Sequence, residues 1–135
     1  MTSQLFISLP VTDLEKSLNF YSKMGFTMNP QFSDEGTKGM SWNESIFLMI
    51  MTHDKFKTFT TKPIMDPKTM VSAGYSLSVE SLAKVNEIVE NGLSAGGTEP
   101  NEMKDYGFMQ ERSIEDPDGY NWGIIYMDMS KFPAA

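Results

Sequence analysis

The sequence predicts an α+β fold made of two copies of a βαβββ module. Three observations predict it: a length of 135 residues that suits one domain, an internal repeat, and the same order of strand-like and helix-like segments in both halves. The repeat Leu-x-Val-x-x-Leu-x-Lys begins at Leu9 and again at Leu77, 68 residues later. We therefore predict a single domain over residues 1–135, with pseudo-repeats of about 1–67 and 68–135.

The first module begins with strand character at residues 5–9, and Asp13 follows where its side chain can cap a helix. Apolar residues recur at spacings of three and four from Leu14 to Met24, which indicates one buried stripe of that helix. Gly25 is expected to end it, because glycine readily adopts the left-handed conformation. Strand-like segments complete the module at residues 26–32, 40–42 and 46–51.

The second module repeats this order, with a strand at residues 75–79 and a capping residue at Ser81. The apolar stripe of its helix covers residues 82–89, and Gly92 is expected to end the helix. Strands are predicted at residues 98–99, 108–114 and 122–127.

Two connections have their own signals. The sequence Asp-Pro-Asp-Gly at residues 116–119 predicts a tight hairpin turn, since proline fixes the second turn residue and glycine tolerates a positive φ. Residues 52–71 contain two prolines and little periodicity, so they are predicted to connect the halves, with a short helical piece at 55–59.

Composition excludes several classes of function. With 18 acidic and 11 basic residues, the net charge of −7 opposes binding to nucleic acid. The absence of cysteine excludes thiolate metal ligands and cysteine nucleophiles. The longest apolar run, residues 46–51, is far shorter than a membrane span, and the first residues do not form a secretory leader. We expect a cytoplasmic protein with no membrane partner.

Two motifs resemble those of the vicinal oxygen chelate superfamily, which includes glyoxalase I, bleomycin-resistance proteins and extradiol dioxygenases. They are LPVTDLEKSLNFY at residues 9–21, closed by Gly25-Phe26, and EDPDGYNW at residues 115–122. The resemblance implies that the two modules form a cupped mixed sheet with a small-molecule site in its concave face. It also implies that the site is commonly completed in a homodimer.

The resemblance further implies a divalent metal held by histidine and glutamate at four equivalent strand positions. Here these positions fall on Phe6, Gly74, Gly123, and either Leu48 or Met49. None of these side chains carries an imidazole or a carboxylate, which such metal sites require. We therefore predict no metal and no cofactor.

Residues two apart on a strand point to the same face, so the strand neighbours of these four positions would also line the cup. The predicted ligand pocket is Phe6, Ser8, Met49, Gly74, Ser76, Asn121, Gly123 and Ile125. Such a lining is mainly apolar with a few hydroxyl and amide groups, which is typical of a small-molecule pocket. The alternative is that Phe6 and the methionines fill the space that a ligand would otherwise occupy.

Glu111 is the one candidate catalytic residue, as a general base if it faces the cup. It shares a strand face with Met109 and Ser113, whereas Gln110 and Arg112 point to the other face. The sequence leaves open which face is the cup, and the more ordinary interpretation of Glu111 is an exposed charge beside Arg112.

The resulting expectation is a glyoxalase or bleomycin-resistance-like protein that has lost the family metal ligands and binds a small organic molecule. One alternative is a metal-dependent lyase or isomerase of the lactoylglutathione lyase type, or a dioxygenase. Others are a metal-independent enzyme that uses Glu111, and a structural homodimer with a filled cup.

Overall fold

The computed structural model describes residues 3–133, and the chain divides into two compact units between Asp66 and Pro67. Each unit contains a four-stranded mixed sheet, in the order β1-β4-β3-β2 in the first and β5-β8-β7-β6 in the second. In both sheets the first strand runs parallel to the last strand of its unit, and the remaining pairs are antiparallel. The predicted α+β class and the two βαβββ modules are confirmed.

The first unit follows the predicted order, with shifted boundaries. Its elements are β1 (Leu5–Val11), α1 (Leu14–Met24), β2 (Thr27–Asn29), β3 (Thr37–Ser41), β4 (Ile46–Thr52) and α2 (His53–Phe56). The strand predicted at residues 26–32 is shorter than expected because a 3₁₀ turn begins at Pro30, where Asn29 caps the turn and proline has no N–H to pair.

Local signals set both ends of α1. The backbone N–H of Lys16 donates to Asp13 Oδ1 at 3.1 Å, which satisfies one free donor of the first turn. Gly25 has φ of 127°, and its N–H donates to the carbonyls of Tyr21 and Ser22. The predicted cap and stop of this helix are confirmed.

Helix α1 covers one face of the first sheet and leaves the other face open. Phe20, Tyr21 and Met24 of the helix are buried, as are sheet residues that include Leu9, Leu48 and Ile50. Burial of each large apolar side chain contributes about 1.5–3 kcal/mol, so this layer is the core of the unit.

The second unit has the elements β5 (Tyr75–Ser78), α3 (Leu82–Ser94), β6 (Lys104–Asp105), β7 (Met109–Glu115) and β8 (Asn121–Met127). Ser81 caps α3 as predicted, accepting from the N–H of Lys84 at 3.0 Å. No helix within residues 3–133 has the length and apolar character needed to cross a bilayer.

Three boundary predictions are wrong. Gly92 lies buried inside α3 rather than at its end, and the left-handed residue that follows the helix is Gly96, with φ of 98°. The helix continues through Gly92 because packing of its buried stripe outweighs the roughly 1 kcal/mol that an interior glycine costs. Thr98 forms only an isolated bridge to Glu115, and the edge strand is β6 instead. The short helix near residue 55 begins earlier than predicted, at His53.

The hairpin turn between β7 and β8 is confirmed. Asp116 Oδ1 accepts from three successive backbone N–H groups, those of residues 118, 119 and 120, each at 2.9 Å. Gly119 has φ of 109°, and a side chain there would meet the backbone N of Lys68 at 2.9 Å. The turn therefore requires glycine for its conformation and for the close approach of the connecting segment.

Candidate functional site

Helix α3 packs on one face of the second sheet. That face carries the buried side chains of Leu77, Ile114 and Ile124 together with Trp122, which is only 1% exposed. Trp122 is thus a core residue of this unit.

The opposite face of the second sheet is open. Ser76 pairs with Gly123 across the parallel β5–β8 ladder, and Ser113 pairs with Gly123 across the antiparallel β7–β8 ladder. Glu111 lies two residues from Ser113 on β7, opposite Ile125, so it belongs to the same face. The structure therefore answers the question left open by the sequence: Glu111 faces the open side and Arg112 faces α3.

A depression of about 270 Å³ lies on this open face. Four of the eight predicted pocket residues line it, namely Gly74, Ser76, Asn121 and Gly123, and Glu111 lines it with them. Ile125 shares the strand face with these residues but does not line the depression.

Sequence reasoning missed the remaining lining residues, which are Tyr75, Asn101, Glu102, Lys104 and Ser113. The alternation pattern could have identified Ser113, because it shares a strand face with Glu111. Asn101 and Glu102 lie in a loop without periodicity, so no sequence signal placed them here.

The carboxylate of Glu111 occupies the space directly above Gly123. A Cβ atom added to Gly123 would lie 2.7 Å from Glu111 Oε2 and 3.1 Å from Ser76 Oγ. Glycine at position 123 is therefore what allows the Glu111 side chain to reach across from the neighbouring strand. Among residues 3–133, no group hydrogen-bonds to this carboxylate or forms an ion pair with it.

Ser113 adds a second unpaired polar group to the same wall. Its Oγ atom is buried and has no hydrogen-bond partner among the described residues. A buried hydroxyl without a partner is costly, by about 1–3 kcal/mol, and such groups in native structures call for an explanation. Ser113 and Glu111 together give the depression two polar groups with unused hydrogen-bonding capacity.

Arg112 holds the loop that forms one side of the depression. On the α3 side of the sheet its guanidinium donates to Glu99 at 2.9 and 2.8 Å, to Asn86 at 3.0 Å and to Glu90 at 2.9 Å. The side chain of Arg112 is 12% exposed. Its hydrogen bonds hold the pKa of Glu99 below the ordinary value of that carboxyl and raise the pKa of the guanidinium. Glu99 immediately precedes the loop of Pro100 to Glu102, so Arg112 positions that loop.

The other three predicted pocket residues, Phe6, Ser8 and Met49, lie on the open face of the first sheet. Ser8 pairs with Met49 across the parallel β1–β4 ladder, so Met49 shares this face, whereas Leu48 is buried on the α1 side. Of the two alternative positions, Met49 is therefore the one on the open face.

Phe6 belongs to an aromatic cluster on that face. Its ring stacks on Phe47 with centroids 4.6 Å apart, and Phe32 meets both rings edge-on at 6.2 and 6.3 Å. Phe6 is nevertheless 46% exposed. The position at which the resemblance implied a metal-binding histidine is therefore part of an apolar surface.

Two βαβββ units, each with one sheet face under a helix and the other open, define a paired βαβββ protein. The chain belongs to the Glyoxalase/Bleomycin resistance protein/Dioxygenase superfamily, whose sequence model matches residues 3–124. No curated protein matches the chain significantly.

Solved structures share the fold at low sequence identity. The hypothetical protein SA1046 from S. aureus is 21% identical, with a TM-score of 0.78 over 93% of this chain and 94% of its own. A glyoxalase-related enzyme from Fulvimarina pelagi is also 21% identical, with a TM-score of 0.76 over 93% and 88%. A bleomycin resistance determinant encoded on the transposon Tn5 is 21% identical, with a TM-score of 0.61 over 94% and 99%.

The family's metal does not fit the residues at the four implied positions. Phe6, Met49, Gly74 and Gly123 offer two apolar side chains and two hydrogens where imidazole or carboxylate donors are needed. Elsewhere within residues 3–133, no three histidine or acidic side chains are grouped so that they could hold a metal ion.

Proposed function

We propose that this protein binds a small organic molecule on the open face of its second sheet, without the metal of its family. The observation that carries the proposal is the depression over Gly123. Its volume of about 270 Å³ is close to the lower end for small-molecule pockets, roughly 300 Å³, so it suits a fragment-sized molecule or one group of a larger one.

The chemistry of the lining supports binding by hydrogen bonds. Ser76, Ser113 and Asn121 supply hydroxyl and amide groups, whereas the ring of Tyr75 packs on Trp122 on the other side of the sheet. A few polar groups that converge on one concavity are typical of sites that orient a ligand. The Tn5 bleomycin resistance determinant has the same fold. We use it as an analogy for the binding of a small molecule, and that use belongs to this proposal.

A metal-dependent lyase, isomerase or dioxygenase is less well supported, because its chemistry needs a metal that chelates two substrate oxygens. The four implied ligand positions offer no donor for such an ion. A second candidate function is metal-independent proton transfer by Glu111, and the observation that favours it is an unpaired carboxylate inside the depression.

Self-association is a further part of the proposal. The exposed aromatic cluster around Phe6 is an apolar surface that a second copy of the chain could cover, and the family resemblance favours a homodimer. If the chain were only a structural dimer with a filled concavity, the open depression over Gly123 would have no role.

An NMR screen tests the proposed binding. The ¹⁵N-labelled protein is titrated with fragment mixtures of neutral, cationic and anionic compounds, and we expect shifts confined to the amides of Ser76, Ser113, Gly123 and their neighbours. The variant Gly74→Phe should abolish those shifts and still fold, because a Cβ added at Gly74 meets nothing within 4 Å. The matched control Ala83→Phe adds the same ring on an exposed position of α3 and should leave the shifts unchanged.

Shifts that persist in Gly74→Phe would place binding elsewhere and contradict the proposal. The absence of any shift at the amides over the depression, across the whole fragment set, would also contradict it.

A further inference from the structure

A carboxylate from a neighbouring strand lies over position 123 of the second sheet. The resemblance expects a glutamate at position 123 on β8, and that position is Gly123. The carboxylate of Glu111, from the adjacent strand β7, lies beside this position, with Oε2 2.7 Å from where a Cβ of residue 123 would be. The depression therefore has an acidic group at this place, supplied by strand β7 and not by β8.

This single carboxylate lacks the other donors that a metal ion needs. Ser76 on β5, Ser113 on β7 and Gly74, which precedes β5, line the depression with it, and none of them offers an imidazole or a carboxylate. Glu102 is the other acidic lining residue, and it is exposed in the loop at the rim. What remains is a partly buried anion that can accept several hydrogen bonds, beside the buried hydroxyl of Ser113.

The charges around the depression favour a cation. Glu111 and Glu102 carry negative charge, and Lys104 is the one basic residue of the lining. Lys104 lies opposite Glu111 in the β6–β7 register, yet the two form no ion pair. The carboxylate thus has no ion-pair partner among residues 3–133, and a partly desolvated carboxylate gains most from a charged hydrogen-bond donor.

We infer that the depression recognises an organic cation, a ligand whose protonated amine binds the Glu111 carboxylate and whose neighbouring polar group meets the Ser113 hydroxyl. This inference rests on the proposed function and names the chemical class of its ligand. An organic ammonium group supplies up to three N–H donors, which suits the lone pairs of a carboxylate that has no protein partner. Anionic ligands are disfavoured because acidic side chains outnumber basic ones in the lining.

The test uses three probes of similar shape and different charge: benzylamine, benzyl alcohol and benzoate. Each is titrated at pH 7 into the ¹⁵N-labelled protein, and dissociation constants are taken from the amide shifts of Ser76, Ser113 and Gly123. Benzylamine should bind more tightly than benzyl alcohol by about tenfold, the effect of a hydrogen bond to a charged group, and benzoate should bind most weakly.

Two variants tie the preference to the carboxylate. Glu111→Gln should weaken benzylamine by about tenfold and leave benzyl alcohol unchanged. Gly123→Ala should have the same selective effect, because its methyl group takes the space of the carboxylate. The control Glu87→Gln removes the same charge from an exposed position of α3, the helix on the other side of the sheet, and should change neither constant.

The possible failures are distinct. If benzyl alcohol or benzoate binds over Gly123 as tightly as benzylamine, or if Glu111→Gln weakens all three probes equally, the preference for a cation is wrong and the proposed binding site stands. If no probe moves these amides, and the fragment screen also gives no shift there, both the inference and the proposed function are wrong.

Discussion

Alanine substitution at two strand glycines separates a position crowded by backbone from one crowded by a movable side chain. At Gly39 on β3, an added Cβ would lie 2.5 Å from the Cβ of Phe32 and 2.9 Å from the carbonyl oxygen of Phe32. At Gly123 on β8, the nearest atoms are Glu111 Oε2 at 2.7 Å and Ser76 Oγ at 3.1 Å. The distances at the two positions are similar. The backbone of Phe32 cannot move without shifting its turn, whereas the end of the Glu111 side chain can rotate away.

Gly39→Ala must shift the 3₁₀ turn that contains Phe32, and overpacking of this kind costs about 1–3 kcal/mol. In Gly123→Ala the Glu111 carboxylate can rotate away into solvent. The replacement of a strand glycine also contributes about 0.5–1 kcal/mol in the favourable direction. In Gly123→Ala the cost of displacing the Glu111 carboxylate opposes the gain from replacing a strand glycine. We therefore expect its free energy of unfolding to stay within about 1 kcal/mol of the wild type.

Urea denaturation followed by circular dichroism measures both variants under the same conditions, and the slope of each transition checks that the unfolded states are comparable. A loss of stability in Gly123→Ala equal to that in Gly39→Ala would refute the conclusion that the obstacle at position 123 is the mobile end of Glu111.

The remaining predictions concern the contacts that hold the second unit and the aromatic cluster of the first. Arg112→Met should lower the free energy of unfolding by about 2–3 kcal/mol in urea denaturation, because it leaves partly buried hydrogen-bonding groups without their donor. Arg112 lowers the pKa of Glu99, so the ionised carboxylate stabilises the fold fully at pH values above 4.5, the ordinary pKa of this group. That contribution is lost as pH falls through the folded pKa, and the stability difference between wild type and Glu99→Gln should therefore shrink below pH 4.5. Asp116→Ala should cost about 2–3 kcal/mol because the N–H groups of residues 118 and 120 lose their acceptor and that of Gly119 keeps only the carbonyl of residue 116, and Asp116→Asn should cost less. Phe47→Ala should cost about 3–5 kcal/mol in thermal or urea denaturation, because Phe47 is 8% exposed, and Phe6→Ala, at a half-exposed ring, should cost about 1 kcal/mol. A larger loss for Phe6→Ala than for Phe47→Ala would contradict the burial of Phe47 within the aromatic cluster.

Sequence alone predicted the elements whose signals are local. Asp13 and Ser81 cap their helices, and the Asp-Pro-Asp-Gly turn closes its hairpin, because each depends on hydrogen bonds within a few residues. The internal repeat then predicted that both units share one strand order, which the two sheets confirm.

Glycine shows where local signals are insufficient. Gly25 ends α1 and Gly92 does not end α3, although both follow an apolar helical stripe. The difference comes from tertiary packing, because Gly92 is buried and the helix gains by continuing to Ser94. A single sequence contains no record of that packing.

The candidate site was predicted in part for the same reason. Alternation grouped Glu111 with Ser113, and the family registration grouped Ser76 with Gly123, but only the sheet register shows that these two groups share one face. The reach of Glu111 over Gly123 depends on the absence of a side chain on a neighbouring strand, which is a relation between strands that strand patterns do not encode.

The most direct test of the central claim is native mass spectrometry of the wild type and Gly74→Phe, both purified without chelator. It reports bound metal, co-purified organic molecules and the number of subunits in one spectrum. We expect the wild type to carry a small organic adduct and no stoichiometric divalent ion, and Gly74→Phe to lack the adduct. A divalent ion bound at one per subunit, or an adduct that Gly74→Phe retains in full, would contradict a metal-free binding site on the open face of the second sheet.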